Sequence, residues 1–164
     1  MVYDEYTTGM RSILAILACA ACSSDDVAGD YAVAVTNREN GCNIQNWTVG
    51  DQATGITVTV TQDGSRVTAT VGGVTGALLD LALGARAYTG SVDGNDLDLE
   101  IVGTRPMQSG NCTFTYNSEI LAASDGDVLT GTIHYRGAGN GNADCASITG
   151  CDSVQEFNGT RPPP

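Results

Sequence analysis

The feature of this sequence that most constrains its fold is the alternation of apolar and polar residues in several short segments. Aliphatic residues alternate mainly with Thr in residues 56–61 and 66–71, and with Asp and Glu in residues 96–101. A fourth segment places Leu129, Ile133 and Tyr135 on one side, opposite Thr and His side chains. A period of two with β-branched residues is typical of antiparallel strands that bury one face. The sequence therefore predicts an all-β domain.

Turn-forming dipeptides separate these segments. Asn-Gly or Asp-Gly pairs occur at residues 40–41, 63–64, 93–94 and 125–126, and such pairs accept the positive φ values of tight hairpins. About eight to ten short strands joined by hairpins favour an antiparallel up-and-down β-barrel, because neighbours in sequence then pair and no strand edge stays exposed. A β-sandwich is the alternative architecture.

Two points of this prediction stay open. Residues 77–83, between Gly76 and Gly84, fit either a short helix or a strand. We favour the strand, because the two glycines leave barely two helical turns. A transmembrane barrel is the other alternative, but strands of roughly five to eight residues are short for a bilayer crossing of about 9–11 residues. The chain also lacks an aromatic girdle.

Composition excludes several classes of function. The chain has 164 residues, with 7 Arg, no Lys, 19 Asp plus Glu and one His, for a formal net charge of −12. An acidic chain lacks the basic patch of nucleic-acid-binding proteins, and one His provides no histidine cluster for a transition metal. Without Lys there is no P-loop and no Schiff-base catalyst. The length suits one domain.

The N-terminal region has the features of an export signal. Arg11 precedes an apolar run at residues 13–21, which is too short to span a bilayer and is followed by Cys22. Residues 1–9 contain two acidic residues, which do not suit a signal, so we interpret them as a start-site artefact ahead of Met10. The expected organisation is a signal peptide at 1–21, a polar tether at 22–28 and one β-barrel domain at 29–164.

The end of this run resembles the lipobox of bacterial lipoproteins, in which a cysteine becomes lipidated. Ala20, Ala21 and Cys22 match the pattern, whereas Cys19 stands where Leu is usual. The resemblance implies a lipid on Cys22, a membrane as the partner and a location at the bacterial outer membrane or cell surface. Ordinary signal cleavage would instead give a periplasmic or secreted protein.

Four further cysteines, at positions 42, 112, 145 and 151, form an even set in an exported domain and predict two disulfides with three possible pairings. Cys145 and Cys151 are close in sequence and are expected to close a local loop, which leaves Cys42 to pair with Cys112. A zinc site is the competing interpretation, but no C-x-x-C spacing occurs among the four. We expect no metal or other cofactor.

A second resemblance concerns the start of the domain. Gly29-Asp30-Tyr31 stands where lipocalin- and avidin-like barrels have a Gly-x-Trp motif, and the likeness in strand layout covers residues 29–161. It implies a pocket for a small ligand in the barrel mouth. Aromatic side chains pack in cores by default, but they are also the ligand-binding candidates if a pocket exists: Trp47, Tyr31, Tyr88, Tyr116 and Tyr135.

Three other motifs have plainer explanations. Residues 93–98 carry several oxygen ligands, but they depart from an EF-type calcium loop, so we favour a solvated strand face over a calcium site. The glycine-rich residues 137–144 lack the helix that a nucleotide fingerprint requires, which favours a disulfide-tied surface loop. His134 lies on a Thr face with no nucleophile motif elsewhere, so we expect an exposed strand residue.

The sequence thus leaves two hypotheses of function. The first is a non-enzymatic cell-envelope protein whose barrel binds a small apolar ligand or is purely structural. The second is an exported hydrolase that uses carboxylates. A binding barrel needs a hollow apolar interior, an enzyme needs convergent buried acids, and a structural barrel has a filled interior. We favour the non-enzymatic hypothesis.

Overall fold

A computed structural model describes residues 26–162, and the chain there forms a closed antiparallel up-and-down β-barrel of eight strands with one extra short strand. The predicted fold class is therefore confirmed. The strands are β1 (Gly29–Asn40), β2 (Gln52–Asp63), β3 (Arg66–Val71), β4 (Ala87–Asp93), β5 (Asp96–Ile101), β6 (Met107–Ser109), β7 (Cys112–Asp125), β8 (Val128–Gly139) and β9 (Asp152–Thr160). One α-helix, α1 (Gly73–Leu83), and a short 3-10 helix (Ala143–Cys145) complete the described elements.

Each barrel strand pairs mainly with its neighbours in sequence. β1 pairs with β2 on one edge and with β9 on the other, and β5 pairs directly with β7. The extra strand β6 pairs with the first residues of β7, beyond the end of β5. Closure gives the first and last strands a partner on both edges, so these strands present no free backbone edge to other chains.

Three of the predicted turns join strands at one end of the barrel, which we call the closed end. Gly64, Gly94 and Gly126 have φ values of 61°, 58° and 59°, and each begins a two-residue turn. Glycine in the first of two turn positions is typical of a type II′ hairpin. The fourth dipeptide, at residues 40–41, opens an eleven-residue loop at the opposite, open end, since β2 starts only at Gln52.

A β-bulge adjusts the inner face of β2. The register with β1 shifts by one residue at Thr54 and Gly55, which together oppose a single residue of β1. Gly55 has a φ of 71°, a conformation that suits glycine in a bulge. The extra residue keeps both Ala53 and Ile56 on the wall of the barrel interior.

The prediction of a strand over residues 77–83 is wrong, because these residues form the larger part of α1. Gly76 lies inside the helix and does not end it, and the Ala and Leu residues that follow have high helix propensity. Leu79 and Leu83, four residues apart, face the barrel, whereas Leu81 is 73% exposed. Within residues 26–162 no helix combines the length and apolar character that a membrane crossing needs.

Several strands are longer than the sequence predicted. β1, β2 and β8 have 12 residues each and β7 has 14. At the open end, β2 gains residues 52–55 (Gln, Ala, Thr, Gly) and β8 gains residues 136–139 (Arg, Gly, Ala, Gly), which show no apolar alternation. The polar ends extend the ladder at the open end, where several of these side chains meet solvent.

Packing begins before the first strand. Val27 is 1% exposed, its N–H donates to Oε1 of Gln62 at 2.9 Å, and its carbonyl accepts from the hydroxyl of Tyr31 at 3.0 Å. The folded domain therefore includes the end of the segment 22–28 that was expected to be a tether. The predicted signal peptide, the start-site artefact and Cys22 lie outside the described residues.

The two predicted disulfides are present, but the expected pairing is wrong. Cys42 bonds with Cys151, and Cys112 bonds with Cys145. Cys151 immediately precedes β9, which pairs with β1, so it lies beside Cys42, the second residue after the end of β1. Cys145 lies on the 3-10 helix, which contacts β7 where Cys112 begins that strand.

Candidate functional site: the barrel cavity

The interior of the barrel is hollow. A cavity of about 300 Å³ runs inside the strands and opens at the open end, and this volume lies at the lower limit of small-molecule sites. Its wall is formed mainly by aliphatic side chains, because the inward positions of the alternating strands are Val, Leu, Ile and Ala. They include Val33, Val35, Ile56, Val58, Val71, Leu99, Ile120 and Ile133.

Tyr31 and Arg161 seal the closed end. The ring of Tyr31 lines the cavity and is 1% exposed, and burial raises the pKa of its hydroxyl. The guanidinium carbon of Arg161 lies 5.8 Å from the centre of this ring. Arg161 also donates to the carbonyl of Ala28 at 2.6 Å and to a carboxylate oxygen of Asp127 at 2.8 Å. The last residues of the barrel are thereby joined to the segment that enters β1.

Three polar side chains cross the inner wall toward the mouth. The hydroxyl of Tyr135 donates to Oε1 of Gln155 at 3.0 Å, and Nε2 of Gln155 donates to Oδ1 of Asn37 at 2.7 Å. We call this series the Tyr135–Gln155–Asn37 chain. Burial raises the pKa of Tyr135 well above its ordinary value, and the neighbouring Tyr88 raises it further. Tyr135 is therefore a neutral hydrogen-bond donor at neutral pH.

A fully buried pair of hydroxyl groups lies elsewhere on the inner wall. Tyr88 and Ser118 share a hydrogen bond of 2.9 Å, and both residues are 1% exposed. Burial raises the pKa of Tyr88, so this phenol is also neutral at neutral pH. Tyr88 and Ser118 thus pair with each other, as Tyr135 pairs with Gln155, whereas the buried hydroxyl of Ser124 on β7 has no partner among the described residues. The surface toward the cavity is mainly apolar because most of the lining side chains are aliphatic.

The mouth lies between the start of β2 and the helix α1. Asp51, Gln52 and Ala53 border it on one side, and Thr75 and Leu79 of α1 border it on the other. Among residues 26–162, Asp51 is the single carboxylate in the lining, and no arginine lines the cavity. The Asp51 carboxylate forms no hydrogen bond or ion pair with another described residue.

The five aromatic candidates divide into two groups. Tyr31, Tyr88 and Tyr135 line the cavity. Trp47 does not, but its ring stands edge-on to Tyr135 with 6.0 Å between centroids. Tyr116 also lies outside the lining and packs edge-on against a neighbouring phenylalanine at 5.6 Å. Ligand binding by any of the five stays a prediction.

Other lining residues were not singled out by sequence reasoning. The aliphatic wall was expected only as a core, and Asn37, Asp51 and Gln155 were not named. A signal was present for Asn37, because it continues the odd-numbered inward positions of β1 that begin at Tyr31 and include Val33. No sequence pattern placed Gln155, since its contact with Asn37 depends on the pairing of β9 with β1.

His134 is not the exposed residue that the sequence predicted. Its side chain is 18% exposed, with Nδ1 at 2.9 Å from Oδ2 of Asp152 and Nε2 at 3.2 Å from Oγ1 of Thr132. The pairing of β8 with β9 brings Asp152 next to it. The order acid, imidazole and hydroxyl resembles a hydrolase triad, but these side chains lie on the outer wall and none lines the cavity.

The remaining motifs behave as surface features. Asp96, Asp98 and Glu100 are exposed on the outer face of β5, as the solvated-face interpretation predicts. The described residues contain no group of three His, Cys, Asp or Glu side chains able to hold a metal ion. The glycine-rich residues 137–144 end β8 and lead into the loop that the bond between Cys112 and Cys145 ties down.

Comparisons of the chain with protein-family models, with curated proteins and with solved structures find no match. The resemblance to lipocalin- and avidin-like proteins therefore rests on the segment Gly29-Asp30-Tyr31 and on the barrel architecture.

Proposed function

We propose that this protein is an exported, lipid-anchored and non-enzymatic barrel that binds a small apolar ligand. The observation that carries the proposal is the cavity of about 300 Å³ with its aliphatic wall and open mouth. Protein interiors are otherwise packed to the density of organic crystals, with few voids larger than a water molecule. A purely structural barrel of this size would be expected to fill its interior with side chains.

The distribution of carboxylates also favours binding over the hydrolase alternative. Glycoside hydrolysis by carboxylates uses two acidic groups that flank the scissile bond. In the part of the chain from 26 to 162, the cavity lining offers only Asp51, at its mouth. The exposed acids Asp96, Asp98 and Glu100 lie on the outer face of β5.

The disulfide bonds support export. The disulfides Cys42–Cys151 and Cys112–Cys145 are the kind of cross-link that persists in oxidising compartments.

The position of Cys22 in the sequence sets the orientation of a lipid-anchored barrel. The described chain starts with Asp26 at the closed end, and Cys22 precedes it by four residues, which span at most about 14 Å. A lipid on Cys22 would therefore hold the closed end near the membrane, and the mouth would open away from it.

The proposal is tested with an apolar probe and two matched variants. Ala53 borders the mouth, so Ala53→Phe places a ring across it; Ala32 is exposed on the outer face of β1, so Ala32→Phe adds the same ring elsewhere. We expect an environment-sensitive naphthalene dye to bind the wild-type protein and Ala32→Phe alike, and Ala53→Phe at least about tenfold more weakly. Equal binding by all three, or no binding by the wild-type protein, would refute ligand binding in the cavity.

A further inference from the structure

The chemical class of the ligand follows from the charges at the mouth. Resting on the proposed binding function, we infer that the ligand is a cationic amphiphile, with an apolar body inside the barrel and an ammonium-like head group beside Asp51.

Asp51 is placed on the inner side of the mouth by strand pairing. The N–H of Asn37 donates to the carbonyl of Asp51 at 2.9 Å, in continuation of the register that pairs Thr36 with Gln52. Residues directly opposite each other in antiparallel strands share a face. Asn37 faces the interior, where it accepts from Gln155, so Asp51 belongs to the same face.

The lining offers no other charge to a ligand. Within residues 26–162 no arginine lines the cavity, and the chain has no lysine. Tyr135 and Gln155 already use each other's hydrogen-bonding groups, and Tyr88 is paired with Ser118. Among residues 26–162 that line the cavity, Asp51 is the one ionic group, and its carboxylate has no partner.

This arrangement discriminates between head groups. A carboxylate at the mouth would meet the like charge of Asp51 without a counter-ion, and the net charge of −12 would oppose its approach. An ammonium group would gain a counter-ion at Asp51 while its N–H groups stayed partly in water. Asp51 is exposed, so the attraction is moderate and favours selectivity more than strength of binding.

The volume limits the apolar body. A cavity of about 300 Å³ holds the equivalent of roughly ten water molecules at 30 Å³ each. An apolar group of about ten heavy atoms, such as a decyl chain, therefore fits the interior at that density. The three ten-carbon compounds decylammonium, decanol and decanoate differ in head-group charge and share this body.

The test compares these three compounds, each below its micellar concentration, by titration of the emission of Trp47. This indole is the only one in the chain and contacts a cavity-lining ring, Tyr135. We expect decylammonium to bind about fivefold more tightly than decanol, and decanoate to bind most weakly. In Asp51→Asn the advantage of decylammonium over decanol disappears, while decanol binds as before.

A charge-matched control separates the mouth from the overall field. Asp63 lies at the closed end and is exposed, so Asp63→Asn removes the same charge and should retain the fivefold preference. Equal binding of the three compounds, tighter binding of decanoate, or a preference unchanged in Asp51→Asn would overturn the inference and leave the binding function intact. Failure of all three to bind the wild-type protein would refute the binding function itself.

Discussion

The hydroxyl of Tyr135 donates a hydrogen bond of 3.0 Å to the side-chain oxygen of Gln155 on the inner wall of the barrel. Nε2 of Gln155 donates in turn to Oδ1 of Asn37 at 2.7 Å. A continuous series of hydrogen-bonded side chains therefore runs along the inner wall toward the mouth. The series joins β8, β9 and β1, the three strands that complete the closure of the barrel. The contribution of this series to the free energy of unfolding can be measured by removing the phenolic oxygen of Tyr135.

Tyr135→Phe leaves Oε1 of Gln155 without its donor. The acceptor is partly buried, so losing its donor costs about the net value of a hydrogen bond, and we expect the free energy of unfolding to fall by about 1 kcal/mol. Tyr116→Phe is the matched control, because its hydroxyl has no hydrogen bond to another described residue; we expect a change below about 0.5 kcal/mol. Urea unfolding followed by circular dichroism measures both. Equal losses would contradict a role for the Tyr135–Gln155–Asn37 chain.

Stability should fall at alkaline pH. Burial raises the pKa of Tyr135 well above its ordinary value and also raises the pKa of Tyr88, whereas both phenols titrate near pH 10 in the unfolded chain. Above that pH the unfolded state releases protons that the folded state retains. The stabilisation is therefore complete below about pH 10 and is lost as the pH rises toward the folded-state pKa values.

The measurement is the urea midpoint over a series from about pH 9 to pH 11.5, with the phenolate absorbance recorded in parallel. Tyr135→Phe should show a shallower decline, because it removes one of the tyrosines whose pKa is raised by burial, and the pKa of Tyr135 lies well above its ordinary value. A wild-type midpoint that stays constant or rises over this range would show that the phenols are not protected by burial.

Arg161 should contribute far more stability than another arginine that also forms an ion pair. Arg161→Ala removes the bonds to Ala28 and Asp127 and the contact with Tyr31, and we expect a loss of about 1–3 kcal/mol. Arg38 pairs with Glu156, but both side chains are about half exposed, so Arg38→Ala should cost less than about 0.5 kcal/mol.

Urea unfolding of the two variants decides this comparison. Arg161→Lys should recover only part of the loss, because a lysine cannot reproduce the forked set of hydrogen bonds. A full recovery by lysine, or a loss no larger than that of Arg38→Ala, would show that the closed end does not depend on the guanidinium geometry.

The two disulfides should differ in their contribution to stability. Cys42–Cys151 closes a loop with a sequence separation of 109, and Cys112–Cys145 closes one of 33. In the loop-entropy model the longer loop is worth about 1 kcal/mol more, so the double variant Cys42→Ser/Cys151→Ser should be the less stable of the two double variants. Denaturation of both variants tests the difference. Peptide mapping that finds Cys145 joined to Cys151 would contradict the observed pairing.

The orientation on a membrane is testable through Trp47. With the lipid-modified protein on vesicles of bromine-labelled lipid, we expect little quenching of Trp47, because the mouth lies at the end of the barrel opposite Asp26. The comparison is Trp47→Phe combined with Ser65→Trp, which moves the single indole to a closed-end turn. Stronger quenching at position 47 than at position 65 would reverse the proposed orientation.

Much of the fold could be predicted because its signals are local. The alternation of apolar and polar residues around Val58 and Leu99 directly predicts which residues face inward and which face outward, since successive side chains of a strand point to opposite faces. Gly64 and Gly94 mark hairpins because few residues other than glycine accept their φ values. A series of such hairpins leaves few topologies other than an up-and-down barrel.

The errors arose where the outcome depends on distant residues. The segment around Leu81 fits a strand or a helix by local pattern, and its high helix propensity prevailed where the chain crosses the open end of the barrel. The partner of Cys42 was misassigned because nearness in sequence does not predict nearness across β1 and β9. His134 gained Asp152 through the pairing of β8 with β9.

The sequence by itself determined the all-β class, the inward and outward faces of the strands, the closed-end turns and the presence of two disulfides, because each depends on residue type and short spacing. Only the tertiary structure decided the disulfide pairing, the contact of Gln155 with Asn37, the unpaired Asp51 at the mouth and the hollow interior. These depend on which strands close the barrel and on how completely inward side chains fill the space between them. Side-chain volume summed along a chain does not reveal that, because the size of the enclosed space is a property of the closed sheet.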